Sequence, residues 1–146
     1  MWRVGATRTL SSPLFLFLIM SVFMQWNMRG LQANREELSL LLSQYDPTAV
    51  CVQESLLRSN KTASFKNYSY CGISAVENNG SLHGGVAILV KNTTPHKPLH
   101  IDTGLQAIAL RATCHKTITI CSIYLQWGLQ QTQHSRKDGG GLPPQI

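Results

Sequence analysis

Three polar residues stand at the ends of strand-like apolar segments: Asn27 after residues 17–26, Glu54 after Ala49–Val52 and Gln53, and Tyr124 near the end of Thr117–Leu125. A carboxylate, an amide and a phenol at strand ends can do a definite kind of chemistry. Glu54 offers hard oxygen donors to a divalent cation that keeps much of its water shell. Asn27 and Tyr124 offer donors to an anionic oxygen. Taken singly, each is an ordinary surface residue: a solvated acid, a turn former, a half-buried strand aromatic. The group gains weight only if the fold gathers it, because layered α/β proteins place their sites beyond strand ends.

The elements that must position these residues can be read from periodicity. Residues 17–26 read as a buried strand. Asn34, with Glu37 three residues later, resembles a capping box. Leu38, Leu41, Leu42 and Tyr45 then follow at helical spacing, and Asp46-Pro47 stops the helix. Ala49–Val52 reads as a buried strand with Gln53-Glu54 at its tip. Strand, helix, strand gives an α/β opening. Further strands are expected over 68–74, 86–90, 105–112 and 117–125, the last two as a hairpin around Cys114-His115-Lys116. Asn78–Gly85 reads as a Gly/Asn-rich turn and Asn92–Pro98 as a loop. Residues 126–146, with their glutamines, Gly139–Gly141 and Pro143-Pro144, read as a disordered tail.

The contexts of the three polar residues are more specific than the residues themselves. Gln25-Trp-Asn-Met-Arg-Gly-Leu31 resembles the opening motif of the endonuclease/exonuclease/phosphatase family, in the W-N-x-R-G-L form of Jockey-type non-LTR retrotransposons. Val50-Cys-Val-Gln-Glu-Ser55 resembles the second motif, and Gly84-Gly-Val-Ala-Ile-Leu-Val90 the G-G-V-A-I strand. Leu105–Leu110 and Ile118–Leu125 resemble the strands that follow. The likeness is collinear from about Met24 to Leu125. It implies a truncated piece of a layered α/β sandwich occupying 17–125. The implied chemistry is hydrolysis of a DNA phosphodiester with Mg²⁺, in a parent element that also reverse transcribes. By the same resemblance Glu54 is the metal-binding carboxylate, and Asn27 and Tyr124 are catalytic residues that contact the phosphate. All three are expected at one edge of a single sheet.

The sequence also departs from that pattern. Leu125 is followed by Gln126-Trp127, where the family continues Leu-Pro-Pro. No Gly-Asp-Phe-Asn and no Ser-Asp-His occurs. His83, His96, His100, His115 and His134 stand in other contexts. The expectation is a chain that binds Mg²⁺ and DNA weakly and does not turn over. No small-molecule cofactor and no membrane partner is expected.

Composition bounds these readings. The chain has 146 residues, 43% of them hydrophobic, which suits one domain with a core. Its net charge of +6 suits a polyanion, although the positive residues are scattered. Cys51, Cys71, Cys114 and Cys121 form no C-x-x-C pair, which argues against zinc; Cys51 and Cys121 read as buried thiols. Residues 1–16 read as an extension or a signal-like segment, because Arg3 and Arg8 precede the apolar run Leu14–Phe23. Four N-x-[ST] sequons, at Asn60, Asn67, Asn79 and Asn92, keep a secreted glycoprotein open as a second reading. A non-catalytic DNA-binding module is the third. An intracellular location, nuclear or cytoplasmic, is preferred because the apolar run leads without a spacer into Trp26-Asn27.

Overall fold

The computed structural model describes residues 3–7 and 21–126. The proposed tail from 127 onward, and the 17–20 part of the first expected strand, lie outside the described residues. Ten strands and one helix are described: β1 (Arg3–Thr7), β2 (Ser21–Asn27), α1 (Arg35–Tyr45), β3 (Ala49–Gln53), β4 (Tyr68–Ile73), β5 (Val76–Asn78), β6 (Ser81–His83), β7 (Val86–Lys91), β8 (His96–Leu99), β9 (Gln106–Thr113) and β10 (Thr117–Tyr124). Among the described residues no helix is long and apolar enough to cross a membrane.

Two sheets and one helix make three layers. The first sheet runs β1-β2-β3-β7-β4, and the second runs β10-β9-β8. Among the described strands only β2 and β3 pair in parallel, with Asn27 opposite Gln53, and α1 joins them. Such a pair needs a crossover, and a helix supplies one. Arg3–Thr7 pairs antiparallel with the other side of β2 and forms an edge of this sheet.

Both faces of the first sheet are covered at its centre. One face of β3 and β7 packs Val50, Val52, Ala87 and Leu89 with Leu38 and Leu42 of α1. The other face sets Ala49, Ile88 and Val90 against Leu110 and Ala112 of β9. This double burial explains why β3 and β7 read as unbroken apolar runs rather than alternating ones. On β10, Ile118 and Ile120 also pack into the space between the sheets.

Helix α1 departs from its expected cap. Asn34 makes no side-chain cap hydrogen bond. Its amide turns back instead and donates to Met28 O at 2.6 Å and Gly30 O at 2.9 Å, fixing the turn that leaves β2. Glu36 and Glu37 in the first turn face the positive end of the helix dipole. Asp46 closes the helix in the left-handed conformation, with φ 43°, ahead of Pro47. The expected apolar face is narrower than its spacing indicated: Leu38 and Leu42 are buried, whereas Tyr45 is exposed.

Three other expectations need correction. The Asn78–Gly85 turn is a small hairpin, in which β5 and β6 pair through Val76–His83 and Asn78–Ser81. The Asn92–Pro98 loop contains most of β8, an edge strand. Pro98 is tolerated there because an edge strand has one side without ladder bonds. Cys121 points outward and is exposed, because β10 turns its even-numbered residues inward.

Candidate active site at the ends of β2 and β3

The site is built by the parallel pairing of β2 with β3. Because Asn27 stands opposite Gln53, the two chains leave the sheet side by side. The next residue on β3, Glu54, adopts φ 51°. A left-handed conformation is costly for a residue with a side chain. Here it is held by backbone bonds on both sides: Met28 N donates to Gln53 O at 3.1 Å, Gly30 N to Glu54 O at 2.8 Å, and Ser55 N to Gly85 O at 3.0 Å. The turn brings the Glu54 carboxylate to the amide of Asn27, whose Nδ2 donates to Glu54 Oε1 at 3.1 Å. Asn27 is exposed and Glu54 half-buried, so the pair opens to solvent.

Gly84 and Gly85 make the neighbouring wall. Both have positive φ, 72° and 82°. A Cβ on Gly85 would stand 2.3 Å from Ser55 Oγ, and one on Gly84 would stand 2.3 Å from Gln106 Oε1 and 2.8 Å from Tyr124 Cδ1. Only glycine lets the backbone pass this close. Ser55 Oγ is buried without a well-formed hydrogen bond. Its contact with the Tyr70 hydroxyl tempers the rise that burial forces on that phenol's pKa.

Tyr124 stands elsewhere than expected. It ends β10, in the second sheet, and not in the sheet of Asn27 and Glu54. Its ring lies against Gly84, whose carbonyl accepts from Leu56 N at 3.1 Å, so it borders the loop that carries Glu54. The arrangement therefore pairs Asn27 with Glu54 directly and brings Tyr124 to the same end of the sandwich from the facing layer.

A polar group between the sheets escaped the sequence reading. Gln53 Nε2 donates to Ser122 Oγ at 3.0 Å, Ser122 Oγ donates to Val52 O at 3.1 Å, and Gln25 Nε2 donates to Gln53 Oε1 at 3.3 Å. Gln53 is 7% exposed and Ser122 1%. The available signal was Ser122, a polar residue in register with the inward-facing Ile118 and Ile120. Beside this group a cavity of about 450 Å³ is lined by Phe23, Gln25, Cys51, Gln53, Cys121 and Ile123, among others. Burial pushes the Cys51 thiol up to about 11, with a smaller contribution from Cys121. It is a poor thiolate ligand.

The metal-binding capacity of the Asn27–Glu54 end can be judged from its donors. Glu54 presents a carboxylate to solvent, and among the described residues its side chain makes no hydrogen bond other than the one from Asn27. Oxygen donors of this kind suit Mg²⁺ or Mn²⁺. No group of three or more His, Cys, Asp or Glu is gathered among the described residues. The donor set thus fits a divalent cation held by one protein carboxylate and otherwise by water.

Comparison with known proteins agrees with the architecture. The sequence model of the endonuclease/exonuclease/phosphatase family matches residues 24–114. The RNA-directed DNA polymerase from the mobile element jockey of Drosophila melanogaster is 31% identical over 103 residues; the match covers 68% of this chain and 11% of that protein. The crystal structure of the AP endonuclease LMAP from Leishmania major matches with a TM-score of 0.54 at 16% identity, covering 71% of this chain and 40% of that one. At that identity the likeness speaks for the fold alone. The matched segment runs from the middle of β2 through β9 and includes both Asn27 and Glu54, and the chain therefore belongs to the endonuclease/exonuclease/phosphatase family.

Proposed function

We propose that this chain carries the metal-and-phosphate end of a mobile-element DNA endonuclease site, without the groups needed for turnover. The observation that carries the proposal is the 3.1 Å hydrogen bond from Asn27 Nδ2 to Glu54 Oε1, at the strand ends where the family motifs stand. A divalent cation at Glu54 would polarise a phosphodiester oxygen. Asn27 orients the carboxylate through one N–H and keeps a second for a phosphate oxygen. Tyr124 offers its hydroxyl from the facing sheet. The net charge of +6 favours a polyanion throughout.

In the parent family the general base and the support for the leaving oxygen come with the Gly-Asp-Phe-Asn and Ser-Asp-His motifs, and neither motif occurs in these 146 residues. Residues that act as a unit lose function together, so the rate expected is background. Duplex DNA is bound weakly, with an affinity that falls as salt rises.

A plasmid-nicking assay tests this reading. The purified chain with Mg²⁺ or Mn²⁺ should leave supercoiled plasmid intact, as should Glu54→Ala. Metal-dependent nicking that disappears in Glu54→Ala would show that the chain holds a complete site.

A further inference from the structure

Glu54 and Tyr124 belong to different sheets, yet a closed circuit of contacts joins them. From Glu54 the chain steps back to Gln53, whose amide donates to Ser122 Oγ. Two residues along β10 lies Tyr124, paired with Gln106 of β9. Gln106 Oε1 accepts from Gly85 N at 2.6 Å, and Gly85 O accepts from Ser55 N at 3.0 Å, next to Glu54. Sheets packed through apolar side chains can slide a little, because that packing is not directional. Hydrogen bonds at fixed positions cannot slide without breaking. Both fasteners sit at this end of the sandwich, one on each side of the Glu54 turn, and Ser122 and Gln53 are buried. Simple satisfaction of buried polar groups would not require both to bracket one turn.

We propose that Ser122 and Gln106 are positioning residues: they lock the end of β10 and β9 to the Glu54 turn and so fix Tyr124 relative to Glu54. The inference deepens the proposed function and rests on it. Ser122 acts through Gln53, and Gln106 acts through Gly85. Position 84 takes glycine because a Cβ there would displace both Gln106 and Tyr124.

The experiment uses the full chain labelled with 3-fluorotyrosine, the Tyr124 resonance being assigned with Tyr124→Phe. Ser122→Ala and Gln106→Leu each remove one fastener, while Gln106→Glu keeps an acceptor oxygen for Gly85 N. Without metal, the first two should shift the Tyr124 fluorine signal, and Gln106→Glu should restore the original position. With Mn²⁺ added, the broadening of that signal should change by about twofold in Ser122→Ala and Gln106→Leu, because it varies as the inverse sixth power of the metal–fluorine distance and a loosened ring moves by about 1 Å, while Mn²⁺ affinity stays unchanged. A Tyr124 signal that stays put in both variants, with and without Mn²⁺, overturns the positioning role and leaves the site reading intact. Failure of the unsubstituted chain to bind Mn²⁺ overturns the site reading, and the positioning role with it.

Discussion

The amide of Asn27 reaches the carboxylate of Glu54 across the ends of two neighbouring parallel strands, 3.1 Å from Nδ2 to Oε1. Glu54 makes this contact from φ 51°, a conformation that glycine adopts without the steric penalty. If Glu54 is kept for its carboxylate rather than for stability, removing its side chain relieves the conformational cost. Glu54→Gly is therefore expected to hold or raise stability, by up to about 1 kcal/mol in urea unfolding. A loss of several kcal/mol would mean that Glu54 is a structural residue.

The two glycines before β7 differ from the hairpin glycine in one respect. Gly80 and Gly85 both have positive φ, 77° and 82°, but a Cβ on Gly80 meets nothing within 4 Å, whereas one on Gly85 meets Ser55 Oγ and the backbone nitrogens of Ala75 and Leu56. Gly80→Ala should cost about 1 kcal/mol from conformation alone, and Gly85→Ala clearly more, about 2–4 kcal/mol. Equal losses in denaturant unfolding would show that the close approach at Gly85 is not needed.

Helix α1 is anchored by a narrow stripe. Leu38 is wholly buried, and Leu40 is 65% exposed. Leu38→Ala should cost about 2–5 kcal/mol and Leu40→Ala under about 0.5 kcal/mol. Comparable losses would place a different face of the helix against the sheet.

Cys51 and Cys121 should differ in reactivity and in their effect on pH stability. Burial, and secondarily Cys121, raises the Cys51 thiol from 9.0 to about 11. The neutral thiol is thus favoured in the folded state. Its contribution is complete below pH 9 and is lost as pH rises toward 11, because the unfolded chain gives up this proton first. Tyr68, raised to about 12 by burial and then by Asp46, extends the decline to higher pH. At pH 8 a thiol-alkylating reagent should modify the exposed Cys121 well before Cys51. Unfolding free energies measured at pH 8 and 10.5 should differ less in Cys51→Ala than in the unsubstituted chain. An identical difference in both would remove Cys51 as the cause.

Much of this fold is legible in the sequence. Unbroken apolar runs marked β3 and β7 because both their faces are buried, and two strand-like runs around Cys114-His115-Lys116 marked the β9–β10 hairpin. Helix α1 declared itself through leucine spacing. The short elements did not: β5 and β6 are three residues each, and β8 contains a proline and belongs to an edge. At the candidate site, Asn27 and Glu54 could be paired from motifs because they close adjacent strands. Tyr124 could not be placed in the right sheet, since nothing in β10 says which layer it joins. Gln53 and Ser122 lie 69 residues apart, and only the packing of the two sheets makes them partners.

A Mn²⁺ titration followed by water-proton relaxation shows whether the Asn27–Glu54 end holds a divalent cation. One protein carboxylate gives weak binding, so the unsubstituted chain should show saturable relaxation enhancement only at millimolar-order Mn²⁺, about what a site that keeps most of its water ligands allows. Glu54→Ala should abolish the saturable component, and Asn27→Ala should weaken it. Saturable binding that is unchanged in Glu54→Ala would contradict the account, because the cation would then sit elsewhere.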